Sequence, residues 1–199
     1  MLYGGNDIYT LMQVDHFREM ICVDQRDDRL CRFCLVTATL TIEQYCQRKL
    51  LRKTHVEMLD AQYDTVVPLR EYPVKEIKSI HLMTGSVSEK IGLELYGLSP
   101  ACGVDAGLTQ YVIFSPSLVR KRDNARIRAT YRAGYQRNGI PADLAAACLE
   151  LAYWNFNRMK AREMGMSVGR EGKREDYPFE KTMPQNVAKL LEPYRRKTL

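Results

Sequence analysis

Cys31 and Cys34, one helical turn apart, come closer to chemistry by type and spacing than any other residues of this chain. A Cys-x-x-Cys pair serves as a redox couple or as half of a structural zinc site. Zinc of that kind needs four ligands, and no second such pair or histidine pair stands at matching spacing. A thioredoxin-like couple sits where a strand meets a helix, whereas here a predicted helix runs through both residues. The two are therefore read as core thiols, as are Cys22, Cys46, Cys102 and Cys148, which fall among apolar positions in a chain with no export signal. His16, His55 and His81 are scattered over different predicted elements. No HExxH, Gly-x-Ser-x-Gly or GxxxxGK[ST] pattern occurs. Asp24, Asp27 and Asp28 have a sufficient role as helix-start carboxylates. The sequence thus offers no catalytic residue, no cofactor-binding residue and no metal ligand, and reads as a non-enzymatic protein without a cofactor.

Electrostatics give the next signal. Thirty Lys and Arg against 24 Asp and Glu leave a net charge of +6, which permits contact with nucleic acid or an acidic protein surface without choosing between them. The basic residues concentrate at Arg120, Lys121 and Arg122, followed by Arg126, Arg128 and Arg132. Along a strand, 126, 128 and 132 share one face because side chains alternate. That face is read as solvated. The functional alternative is a non-specific nucleic-acid-binding module that uses these cations on phosphates.

The elements that position these residues follow from periodicity and punctuation. A short helix is expected from Leu11 to about Val23, and a second from about Asp27 to Arg48, with Leu30, Phe33, Cys34, Thr37 and Leu40 as its buried stripe. Residues 52–135 carry short β-rich runs separated by Pro, Gly and Asp. Ile140-Pro141-Ala142-Asp143 opens a long helix whose stretch Leu144–Phe156 has Glu150 as its only charge. A helix apolar on nearly all sides is expected to be covered by its own domain and by a neighbouring subunit. The start lacks a basic region followed by an apolar one, and no run of about 18 apolar residues occurs, so neither a signal peptide nor a membrane span is expected. The predicted class is α+β, mainly α: a helical bundle with an inserted small antiparallel β region and a C-terminal docking helix and tail. Its segments are N-terminal helices (1–51), an inserted β-rich region (52–135), a long central helix (136–164), a mobile loop (165–183), and a C-terminal helix with a basic tail (184–199).

Four segments in this order resemble the head-tail connector proteins of long-tailed bacteriophages, also called adaptor or head-completion proteins. They are Thr41–Arg48; Tyr72-Pro73-Val74 running to Ile80; Ala129–Tyr135 leading through Ile140-Pro141 into the long helix; and Leu190-Leu191-Glu192-Pro193-Tyr194-Arg195-Arg196. Gln47 departs from the pattern, since such proteins usually have Gly before the Arg, and the helix is expected to end differently for it. The resemblance implies a structural virion protein of the neck, assembled in the host bacterial cytoplasm. There it would form a homo-oligomeric ring, expected to be dodecameric, beneath the portal, extending the DNA channel with non-specific DNA contact and no membrane. Its partners would be the portal protein and the next tail-side connector or tail-terminator protein. Portal docking would fall to Val187, Leu190, Leu191, Tyr194, Arg195 and Arg196. Subunit contacts would fall to Ala145, Leu149, Ala152 and Phe156, and DNA would face Arg120, Lys121, Arg122, Arg126 and Arg128.

Overall fold

A computed structural model of the chain describes residues 9–59, 65–84, 86–99, 111–119, 126–163 and 183–196. The chain divides into a helical unit, Met1–Cys46 with Arg137–Pro193, and a β unit, Gln47–Gln136 with Tyr194–Leu199.

The helical unit holds α1 (Val14–Met20), α2 (Asp28–Cys46), α4 (Ala142–Glu163) and α5 (Gln185–Leu191). On α2 the buried side chains are Cys31, Cys34, Leu35, Ala38, Thr39, Ile42, Glu43 and Cys46, recurring every three or four residues as a helix covered on one side requires. This corrects the expected stripe: of its members only Cys34 is buried, while Phe33 is 44% and Leu40 50% exposed. Alternative apolar rows share this helix, and burial went to the row whose small residues Cys31, Cys34 and Ala38 fit close helix packing. Leu144, Ala147, Cys148, Leu151, Ala152 and Phe156 of α4 and Val187 and Leu191 of α5 complete this core. Asp27 meets Lys160 at 2.6 Å, joining the entrance of α2 to the basic end of α4.

The β unit overturns the expectation of a mainly helical protein with one small β insertion. It holds two antiparallel sheets, with strand orders β1-β7-β3-β4 and β2-β6-β5. The strands are β1 (Lys53–Leu59), β2 (Val66–Pro68), β3 (Val74–Thr84), β4 (Val87–Lys90), β5 (Tyr96–Leu98), β6 (Tyr111–Phe114) and β7 (Arg126–Ala133); the short helix α3 (Pro116–Val119) lies between the last two. These sheets bury a core of their own, including Leu59, Val67, Ile80, Leu82, Val112, Phe114, Ile127 and Tyr131, which is what makes the segment a full structural layer. Strand β4 escaped sequence reading because all four of its residues are exposed and it carries no apolar alternation. The expected mobile loop lies outside the described residues except for its last position, 183.

Among the described residues Cys22, Gln47 and Gly134 have left-handed backbone, and the last two bear on how the elements join. Gly134 has φ 104°, and a Cβ there would come within 2.7 Å of backbone atoms of Leu50 and Leu51, so only glycine fits. Gln47, the first residue after α2, has φ 55°. The helix therefore stops with the left-handed turn that glycine usually supplies, and Gln47 bears the strain instead. Its side chain is exposed. Gln47→Gly is expected to raise unfolding stability by about 0.5 kcal/mol, the relieved strain exceeding the added unfolded-state entropy, as measured by urea denaturation.

Candidate functional site

The β unit is organised around a buried arginine. Arg48 is 3% exposed. Its Nε donates to the Tyr194 carbonyl oxygen at 2.8 Å and its Nη1 to the Tyr72 carbonyl oxygen at 2.7 Å. The guanidinium lies 3.9 Å from the centre of the Tyr72 ring. Hydrogen bonds from a charged donor contribute about 1.5–3 kcal/mol each, and a desolvated cation over an aromatic face adds up to about 2. Gly134 N donates to the Pro73 carbonyl at 2.9 Å and Tyr135 N to the Leu50 carbonyl at 2.7 Å, while the Tyr135 and Tyr194 rings meet edge to face. Each of the four segments quoted above thus contributes to this one cluster: Arg48, Tyr72 with Pro73, Gly134 with Tyr135, and Tyr194.

A second network holds the Arg70–Tyr72 segment in place. The Tyr131 hydroxyl donates to Glu57 Oε2 at 2.7 Å and accepts from Glu71 N at 3.2 Å. Glu57 also pairs with Arg70 at 3.3 Å, and Glu71 accepts from Lys49 N at 2.5 Å. Burial, and then the Glu57 carboxylate, push the Tyr131 phenol well above its ordinary range, so it stays a neutral donor. This is a structural brace rather than an acid-base site. Sequence reading missed both networks; the one available signal was a charged Arg48 standing two residues before Leu50 and Leu51.

The residues first suspected of chemistry do not come together. Cys31, Cys34, Cys46 and Cys148 are buried thiols of the helical unit with no disulfide, and burial pushes Cys34 and Cys148 up to about 12. Among the described residues no cluster of His, Cys, Asp or Glu could hold a metal ion. His16 is exposed on the helical unit; His55 stacks on Tyr131 inside the β unit, and His81 stands opposite Arg128 on the other face of the same sheet. Arg120, Lys121 and Arg122 lie outside the described residues. Arg126 and Arg128 share the outer face of β7 with Arg132, which meets Glu76 at 3.8 Å. Of the docking set, Val187, Leu191 and Tyr194 are buried within the chain, Leu190 and Arg196 are half-buried and Arg195 is exposed. Of the subunit-contact set, Ala145 and Leu149 are half-buried, whereas Ala152 and Phe156 are buried in the chain's own core.

A family model for the head completion protein matches residues 10–197. The chain belongs to the head completion protein family. For this head completion protein the assignment is structural rather than enzymatic, in keeping with a virion assembly role. No curated protein matches its sequence. Solved structures that share its fold include three chains of GTA particles. The chain in the neck of an empty GTA particle computed with C6 symmetry is 19% identical, with a TM-score of 0.63, covering 100% of this chain and 97% of that one. One from the virion of a native gene transfer agent (GTA) particle is 19% identical with a TM-score of 0.61, covering 95% and 91%. One in the neck of a native GTA particle computed with C12 symmetry is 20% identical with a TM-score of 0.60, covering 100% and 97%. Among the described residues of this head completion protein, no helix is long and apolar enough to cross a membrane.

Three measurements check the buried arginine and the core thiols. Arg48→Ala is expected to cost about 3 kcal/mol in urea unfolding because it strands two buried carbonyls, and Arg48→Lys about 2 because an ammonium cannot form the fork, whereas Arg132→Ala at its exposed ion pair stays within about 0.5. Raised thiol pKa values mean the folded state keeps protons that the unfolded chain releases. The stability from Cys148 is therefore complete below pH 9 and lost as pH rises towards about 12, with a slope of about 1.4 kcal/mol per pH unit. At pH 8 an alkylating reagent should modify exposed Cys22 and leave Cys31, Cys34, Cys46 and Cys148 untouched until denaturant is added.

Proposed function

We propose that the chain is a ring-forming subunit of the head-tail neck, which extends the DNA channel beneath the portal and gives the next tail-side connector or tail-terminator protein its platform. The observation that carries this reading is the agreement of a nearly full-length family match with a fold shared, over almost the whole length of both chains, with neck components of particles. A C12 neck supports a dodecamer as the closed form. A ring closes through head-to-tail contacts repeated from one copy to the next.

Portal docking by the C-terminal segment takes a specific form. Val187, Leu191 and Tyr194 anchor the segment to this chain, leaving Leu190, Arg195 and Arg196 as the groups to meet the portal. Subunit contact through α4 likewise falls to Ala145 and Leu149, since Ala152 and Phe156 are consumed by the core. DNA in the channel would meet cations weakly and without sequence preference, and Arg126 and Arg128 on the outer sheet face are the described candidates. The same face favours the second reading, a nucleic-acid-binding module whose duplex affinity falls steeply with salt.

Mixing the full-length protein with portal rings and imaging the product tests the proposal. A stacked ring of twelve copies is expected. Charge reversal at Arg195 and Arg196 together should lower portal binding at least tenfold while leaving the unfolding midpoint within about 2 °C, since surface changes seldom alter stability by more than ~0.5 kcal/mol. Portal rings that stay bare, with duplex binding abolished by Arg126→Glu and Arg128→Glu, would favour the second reading instead.

A further inference from the structure

Two helices of the helical unit carry an apolar row on the side away from their buried stripe. At about 100° per residue, Phe33 and Leu40 of α2 point roughly opposite to the centre of the Cys31, Cys34, Ala38 and Ile42 row, and the half-buried Leu30 and Thr37 lie on the flank between. Phe33 and Leu40 are 44% and 50% exposed, and no charged residue occurs from Phe33 through Ile42. On α4, Ala145, Leu149 and Tyr153 follow one another at four-residue steps along the flank outside the Leu144–Cys148–Leu151 stripe, and Tyr153 is 47% exposed. A surface helix of a monomer places charge where these rows place Phe, Leu and Tyr. Since α2 and α4 bury their inner stripes in a shared core, the two rows face outward from separate flanks of the unit.

Two different patches on separate flanks are what a head-to-tail ring contact requires, because a rotation that closes into a ring brings one patch of each copy onto the other patch of the next. A two-fold dimer would need one self-complementary patch instead. We propose that the Phe33–Leu40 row of α2 packs against the Ala145–Leu149–Tyr153 row of α4 on the adjacent copy. This inference rests on the ring reading above, and the C6 and C12 symmetry of the necks that share this fold favours a second copy as occupant over an unrelated partner. Both rows are uncharged, so their union leaves no ion desolvated, and the aromatic Phe33 and Tyr153 supply the large anchors that dominate protein interfaces. The buried neighbours on each helix, Ala38 on α2 and Ala152 on α4, have no part in the contact and only hold the rows in place.

Assembly of full-length variants, scored by electron microscopy as rings formed by the purified chain and as rings in particle necks, tests the pairing. Leu40→Asp and Tyr153→Lys are each expected to lower ring yield at least tenfold with the unfolding midpoint unchanged, and the Leu40→Asp/Tyr153→Lys double variant to recover most of it through a new ion pair across the contact. Met20→Glu, 54% exposed at the end of α1, should assemble like the wild type. Rings that form normally with Leu40→Asp overturn the inference and leave the ring reading intact. Loss of rings in both single variants without recovery in the double overturns the pairing of these two rows. Absence of rings from necks built with the wild-type chain overturns the ring reading itself.

Discussion

Arg48 sets the constraint on which the β unit depends, because a guanidinium taken out of water must find acceptors or cost several kcal/mol. It finds them in two main-chain carbonyls, those of Tyr72 and Tyr194, that lie 24 and 146 residues away along the chain. Two hydrogen bonds from one cation therefore fix the path of three distant segments at once. The fourth, through Gly134, comes close only because it lacks a side chain, and its neighbour Tyr135 then closes over the Tyr194 ring. Arg48, Tyr135 and Tyr194 each lie within two residues of a point where the chain passes between its two units. The ordering entropy of these segments is met by one shared set of contacts rather than by separate ones.

The helical unit solves a different problem. Its elements are short or bifacial, and a seven-residue helix such as α5 is not stable alone. Val187 and Leu191 bury it against the bundle, and Tyr45 reaches Glu192 at 3.0 Å to hold the end of that turn. The carboxylate of Glu43, in the interior stripe of α2, accepts the Tyr9 hydroxyl, so its burial is matched by a donor. What is left over on the outside of α2 and α4 is apolar surface that the monomer has no use for.

Sequence reading located the helices well and their buried faces poorly, for one reason. On a helix with apolar residues around most of its circumference, period alone does not select the inward row, and the choice between the row through Leu30 and that through Cys31 was made by packing against α4. The strands rich in Val, Ile and Tyr were legible, while β4, with Ser88, Glu89 and Lys90 exposed, and the separation into two sheets were not, since cross-strand pairing is a long-range property. Cys31, Cys34, Cys46 and Cys148 are the core thiols the sequence led one to expect, whereas Cys22 is exposed against that expectation and Cys102 lies outside the described residues. The C-terminal segment was legible as an amphipathic helix, but the orientation of Val187 and Leu191 was not. The family resemblance pointed to the four segments; that a single side chain gathers them was visible only in the fold. Gln47 belongs here too, since the residue type departs from glycine and the backbone does not.

The acceptors around Arg48 carry a consequence for how such a chain changes over time. A side chain that binds main-chain oxygens asks nothing of the side chains those oxygens belong to, because every residue type presents the same carbonyl. At position 194 the hydrogen bond would survive any replacement that kept the backbone where it is. A fold tied in this way tolerates wide divergence in amino-acid identity while its geometry holds, which fits the pairing of 19–20% identity with near-complete structural coverage among the neck chains it is similar to.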